Sequence, residues 1–293
     1  MRQQGRERPR RFRAPQARHA LALPALGWTA AFFVAPLALL ALYSVGQFDI
    51  ITFEVNWGWT LESYRRINDP LYLEPILRSL FLSMSATLGC LVIGFPVALW
   101  ISRLSGRQQT LALVAVMIPF WSSFVVRTYA LVNLLEDGGP LAQVFHFLGL
   151  SSLSPQIMYS PTAIAIGIVY SYLPLMVLPL FVALERIDPA LLAAAADLGA
   201  PRRRAFRRVV LPLAAPGVIA GCILVGIPAT GEYVIPAILG GDKTLMLGNV
   251  IADQFLKVGD YPFGSALAMA LTTILTVLLL VGRGRLRRYE EIA

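Results

Sequence analysis

DPALLAAAADLGAPRRRAFRRVVLP, residues 188–212, lies between two apolar runs that are long enough to cross a bilayer, and it cannot cross one itself. Asp188 is placed to cap a helix by accepting free backbone N–H groups, and Pro189 falls at the first helical position, where no N–H is needed. Residues 191–198 are Ala/Leu-rich and strongly helix-forming. Gly199 suits the left-handed stop, and Pro201 blocks continuation while starting the next helix. The first helix is about ten residues, half of the roughly 20 that a span needs. The five arginines between 202 and 208 keep the second helix out of hydrocarbon. The stretch therefore predicts a helix–turn–helix standing in water on one side of a membrane. It is either a grip for a partner or a plain surface hairpin between spans.

The rest of the chain agrees with a membrane setting. Of its 293 residues 57% are hydrophobic and 14% charged, and the mean hydropathy is +0.66, which excludes a soluble globular protein. Six apolar stretches stand out, at about 21–46, 76–102, 110–135, 160–184, 209–238 and 262–282. The fifth is interrupted by Pro228, Gly231, Glu232 and Pro236, which predicts a broken or kinked helix. Gly217-x-x-x-Gly221 and Ser85-x-x-x-Gly89 predict close helix approach. The first run is too long for a signal h-region and lacks a cleavage site, so it reads as an uncleaved span. The chain thus divides into a basic segment 1–20, a first helix with its extracytoplasmic segment 21–73, a five-helix core 74–282 containing the loop 185–208, and a tail 283–293.

Arginine placement orients these spans. Seven lie in the first 20 residues, two at 103–109, six at 185–208 and four in the tail, all on one face of a six-span chain. The other face keeps mainly acids, among them Asp49, Glu54, Glu62, Asp69, Glu136, Asp137 and Asp260. By the positive-inside rule both termini and the 188–212 loop are cytoplasmic. The net charge of +8 then needs no nucleic acid, and no aromatic-interleaved basic patch is present.

No catalytic set is found. Residues 240–244, GGDKT, have the wrong spacing for a phosphate loop, and they fall on the outer face. Cys90 and Cys222 sit inside apolar runs as packing residues, without metal-ligand spacing.

The 188–212 stretch resembles the cytoplasmic EAA loop of ABC importer permeases, whose pattern is Glu-Ala-Ala, three residues, Gly, nine residues, Ile, one residue, Leu-Pro. Here Ala193, Ala194 and Ala195 precede Gly199 by that spacing, and Val209 then precedes Leu211 and Pro212. Ala193 stands where the motif has Glu, which removes a salt bridge but not the helix–turn–helix. IPFWSSFVVRTY (118–129), YSYLPLMVLP (170–179) and PATGEYVIPAILGG (228–241) further resemble the first permease subunit of polyamine importers. The resemblance implies an all-α, six-helix type I importer fold that passes a spermidine- or putrescine-type solute. It also implies a second permease subunit, separate ATPase subunits that use ATP and Mg, and an extracytoplasmic binding protein, with no cofactor bound by this chain. Permeases for iron, thiamine, phosphonate or opine-type solutes share parts of these segments. It places ATPase coupling at Ala193, Ala194, Ala195, Asp197, Gly199, Leu211 and Pro212, with Arg203 and Arg207 as polar contacts and Phe206 as an apolar knob.

Two charges fall inside predicted spans. Arg127 sits mid-run in the third, where a centred charge costs about 2.5–3.5 kcal/mol on insertion scales, so it should face protein, a cavity or a carboxylate. Glu232 sits in the broken fifth and is the natural attraction for an ammonium group. The two are either pathway residues or a structural ion pair; as an ion-coupled pair they would instead fit a stand-alone secondary transporter. Trp121, Tyr129, Tyr170, Tyr172 and Tyr233 either line the route by cation–π contact or serve as packing and interfacial anchors.

Overall fold

The computed structural model describes residues 16–49, 52, 54–147, 157–241 and 244–290. Arg2, Arg6, Arg8, Arg10, Arg11 and Arg13 of the head, together with Asp242 and Lys243, lie outside the described residues, as do the side chains of the tail arginines. Helix α1 (Gln16–Tyr43) leads into a small antiparallel ribbon, β1 (Gln47–Phe48) and β2 (Val55–Asn56), in which Gln47 pairs with Asn56. There follow α2 (Glu62–Arg66), α3 (Pro70–Ile101), α4 (Gly106–Met117), α5 (Phe124–Leu135) and α6 (Pro140–Phe147). The second half holds α7 (Pro161–Glu185), α8 (Pro189–Asp197), α9 (Arg202–Ala205), α10 (Leu211–Thr230), α11 (Leu247–Asp253) and α12 (Tyr261–Glu290).

Among the described residues five helices are long and apolar enough to cross a membrane, and six if the bent pair α4–α5 counts as one span. The expected third span over 110–135 is sharply bent: its halves meet at 92°. Pro119 has no N–H to continue α4, so residues Ile118–Trp121 tighten into a 3₁₀ turn. Ser122 then becomes extended, and its hydroxyl donates to the Pro119 carbonyl at 2.8 Å. The break expected in the 209–238 stretch is present. Its helix runs from Arg202 to Thr230 and stops there, and a separate short helix begins after Glu232.

The centre is built by α3, α7 and α10. One stripe of α3, Ser79, Ser83, Ala86, Cys90, Gly94 and Ala98, is buried and small, so α7 approaches closely. A Cβ on Gly94 would meet Met176 at 3.1 Å, and one on Gly217 would meet Ala183 and the Pro179 carbonyl at 2.6 Å. Gly221 is likewise pressed against Met176, so the 217/221 pair lies in a helix contact. The 85/89 pair is split: Gly89 faces Val169, whereas Ser85 is exposed and bonds back to its own helix. Cys90 packs in the core with its thiol on the Val169 carbonyl, and neither it nor Cys222 forms a disulfide.

Candidate functional site

The break in the fifth span is organised by one carboxylate. A helix that starts after Glu232 exposes the N–H groups of its first four residues. Three of these, Tyr233, Val234 and Ile235, donate to Glu232 Oε1 at 3.0, 2.9 and 3.4 Å. The fourth residue is Pro236, which has no N–H to satisfy. Glu232 thus caps, from just before it, a helix that begins at Val234 inside a buried apolar region, and negative charge is favoured there by the helix dipole. Its other oxygen, Oε2, accepts a 2.5 Å hydrogen bond from the Tyr172 hydroxyl.

Tyr172 sets the depth of this site. It lies 11 residues from the start of α7 and 13 from its end, about 16 and 20 Å along the axis. Helical side chains lean toward their N-terminus, so the hydroxyl and Glu232 lie within the span, in the half nearer Pro161. Glu232 is 6% exposed, which leaves it unable to draw on bulk water.

Neighbouring elements hold the break from behind. The Asn249 amide donates to the Tyr233 carbonyl at 3.0 Å, and its carbonyl oxygen accepts from the Met246 N–H at 3.3 Å. A Cβ on Gly248 would sit 2.7 Å from the Glu232 carbonyl oxygen, so only glycine lets α11 come this close. On α3, Ser79 accepts from the Leu247 N–H at 2.7 Å, and Ser83 pairs with Thr230 at 3.0 Å. Sequence reasoning does not single out Ser79, Ser83, Thr230, Gly248 or Asn249. The available signal is a pair of serines four apart in an apolar run and a Gly-Asn step after a loop.

Arg127 is near this site but not paired with it. Among the described residues it forms no ion pair with Glu232 or any other acid. Its guanidinium lies 5.0 Å from the Phe120 ring and 5.7 Å from Phe124, and Phe124 in turn contacts Tyr172 at 6.4 Å. Arg127 is 7% exposed, and among the described residues its Nε and Nη1 have no hydrogen-bond partner. Of the two readings, the direct Arg127–Glu232 pair is absent among the described residues, because the α4–α5 bend sets aromatic rings around Arg127 while backbone amides occupy Glu232. Tyr129, Tyr170, Tyr233 and Trp121 are exposed; only Tyr172 reaches the carboxylate with its side chain.

The 188–212 stretch forms the second site. Asp188 caps α8 by accepting from the Ala190 N–H at 2.8 Å. At the far end Gly199 has φ +75°, its N–H donates to the Ala196 carbonyl, and the Ala200 N–H reaches back to Ala195 at 2.9 Å. This is the Schellman stop that the glycine implied. No residue of α8 is buried, which leaves Ala193, Ala194 and Asp197 on its open surface, and Leu198 is 88% exposed at its tip. Phe206 points the other way, edge-on to Phe95 of α3 at 5.9 Å, so Leu198 is the apolar side chain that protrudes from this tip. Between α9 and α10, residues Phe206–Val210 form a π turn in which the Leu211 N–H bonds to the Phe206 carbonyl. The wider turn makes room for Pro212, which has no N–H and whose ring would crowd the carbonyl four residues earlier.

A third cluster lies at the opposite end of the helices. Arg66 Nη1 meets Asp260 Oδ2 at 2.8 Å, its Nη2 donates to the Tyr72 hydroxyl at 2.8 Å, and its face stacks on Phe263 at 4.2 Å. Burial alone would lower the Arg66 pKa; the hydrogen bonds with Tyr72 and Asp260 outweigh it and raise the value, so the charge is held.

Comparison with known proteins adds the following. Residues 72–288 match the family described as "Binding-protein-dependent transport system inner membrane component". The chain is 40% identical over 256 residues to the Escherichia coli (strain K12) spermidine/putrescine transport system permease protein PotB, covering 87% of this chain and 93% of that one. The protein of that name from Haemophilus influenzae is 41% identical over 76% of this chain and 78% of its own. In structure, a chain of a bacterial ABC transporter involved in the import of the acidic polysaccharide alginate superposes with a TM-score of 0.75 at 17% identity, over 93% of this chain and 96% of that one.

Proposed function

This chain belongs to the family of binding-protein-dependent transport system inner membrane components, and from that premise we propose that it is the permease subunit of an ABC importer for polyamines of the spermidine/putrescine type. The observation that carries the solute class is the 40% identity, over nearly the whole length, to a permease named for those solutes. A buried carboxylate at a break within a span agrees with a cationic cargo. The stand-alone, ion-coupled alternative relied on an Arg127–Glu232 pair, and that pair is not formed.

In this reading the arginine-rich ends face the cytoplasm, following the positive-inside asymmetry of the sequence. Helix α8 docks on a separate ATPase that uses ATP and Mg, with Leu198 as its apolar contact and Ala193, Ala194, Ala195 and Asp197 around it. A second permease completes the passage, and an extracytoplasmic binding protein delivers the solute. Tyr172, through its bond to Glu232, and the exposed rings of Tyr129 and Tyr233 belong to the pathway. The test is ATP-driven uptake by the reconstituted complex. Accumulation of labelled spermidine or putrescine that requires ATP supports the reading, and ATP-driven uptake of neither solute overturns it.

A further inference from the structure

An open groove of about 560 Å³ runs between the α3–α4 connection and α9, lined by Arg103, Arg202, Arg203, Phe206, Arg207 and Leu211. All four arginines are exposed, and among the described residues none has an ion-pair partner. Four like charges around one concavity repel each other unless an anion enters between them. The volume lies within the range of sites that hold small organic ligands.

The groove's depth identifies the anion. Gly217 packs on Pro179, Leu180 and Ala183 of α7, and the two helices are antiparallel. Six residues back from Gly217, Leu211 stands level with the end of α7. Val210 and Ala214 share a core cluster with Phe181 and Leu184, which confirms that level. The apolar span therefore stops near Leu211, and Arg207 lies one helical turn, about 6 Å, beyond it. The headgroup layer is about 5–8 Å thick on each side of the hydrocarbon, so Arg207 is at phosphate depth. Phe206 and Leu211 line the same groove and give it apolar surface.

We propose that this groove binds the phosphate headgroup of an anionic phospholipid, with Arg103 and Arg207 on the phosphate and the start of an acyl chain along Phe206 and Leu211. Arginine forks suit phosphate oxygens, and basic pockets between spans favour acidic lipid heads. The bound lipid fills the space between the α3–α4 connection and α9, and so steadies the base of the hairpin while leaving α8 free for its ATPase. The proposal rests on the membrane reading above but not on the solute or the direction of transport.

The test is native mass spectrometry of the full chain released from phosphatidylcholine nanodiscs doped with phosphatidylglycerol. The wild type should retain phosphatidylglycerol in preference to phosphatidylcholine. Arg103→Gln and Arg207→Gln should each weaken retention about fivefold, and the double variant about 30-fold. Arg208→Gln, the same charge change just outside the groove, should retain lipid as the wild type does. Equal weakening in Arg208→Gln and in either single groove variant would overturn the proposal, because the attraction would then be the summed charge of this end. Displacement by inorganic phosphate would also overturn it, by marking a free-anion site. Loss of retention in the groove variants supports the lipid site whatever their ATP-driven uptake, because Arg207 is also a candidate ATPase contact, and so the transport reading can fail separately.

Discussion

Replacing Glu232 tests the break in the fifth span most directly. Its Oε1 is the acceptor for three backbone N–H groups, and Oε2 accepts from Tyr172. Glu232→Ala leaves those three amides and the Tyr172 hydroxyl without partners in a buried site. Each orphaned donor costs about 1–3 kcal/mol, so the gross loss is roughly 4–12 kcal/mol. Removing the charge returns several kcal/mol of desolvation, which leaves a net loss on the order of 2–5 kcal/mol. Glu232→Gln differs, because its amide oxygen still caps the same three N–H groups and its NH₂ can donate to the Tyr172 oxygen. That variant should assemble with a thermal midpoint near the wild type, while Glu232→Ala should lose yield and several degrees. Thermal melts of the detergent-purified complex read the cap, and ATP-driven spermidine uptake reads the charge. Uptake should fall in Glu232→Gln even though the fold is kept. A wild-type midpoint in Glu232→Ala would refute the capping argument; wild-type uptake in Glu232→Gln would remove Glu232 as a cation site.

Gly199 is at φ +75°, and a Cβ there would have no atom within 4 Å, so substitution costs backbone energy and nothing else, about 1–2 kcal/mol for alanine and more for a β-branched residue. Gly199→Val should insert normally but lose ATP-coupled uptake, Gly199→Asn should stay near the wild type, and wild-type uptake by the valine variant would dismiss the turn as a coupling element. At the other end, Arg66→Ala should lower the thermal midpoint by a few degrees, since Asp260 is 4% exposed and loses a charged hydrogen bond worth about 1.5–3 kcal/mol. Asp260→Ala should cost more, since its Oδ1 also accepts from the Phe263 N–H at 3.0 Å, and the double variant should cost less than the two combined; strict additivity would show that the two residues act independently.

How much of the fold is legible in the sequence depends on how local the cause is. The 188–212 hairpin is legible because each of its signals acts within one turn: Asp188 on Ala190, Gly199 on Ala196, and Pro201 on the helix that follows. The apolar runs are legible because length and hydropathy are properties of the run itself. Breaks are harder. Gly231 and Pro236 announce an interruption at 228–236, and the interruption is there. The 92° bend at Ser122 does not follow from Pro119 alone, because prolines such as Pro96 and Pro174 pass through spans without breaking them. A proline breaks a span where the next residues have an alternative for their hydrogen bonds, as Ser122 does on the Pro119 carbonyl.

The site shows the same division. Sequence identifies Glu232 and Arg127 as charges in spans, and opposite charges in hydrocarbon invite pairing. The backbone supplies a competing partner: a helix start offers three N–H groups without the need to order a second side chain, and a carboxylate just before it takes them. Tyr172 then completes Glu232 from 60 positions away, a contact that only the packing of α7 against the break creates. Arg127 is left with aromatic faces and two unpartnered nitrogens. One continuous helix, Arg202–Thr230, joins this break to the basic hairpin. At about 1.5 Å per residue its 29 residues form a rod of about 43 Å, with the Gly199 turn at one end and the Glu232 cap at the other. The π turn at Phe206–Val210 is its one widened stretch, and it lies where the arginine groove meets the end of the span. A displacement of α8 would therefore be carried toward Glu232 through packed backbone, without the Arg127–Glu232 bond that is one of two readings open in the sequence.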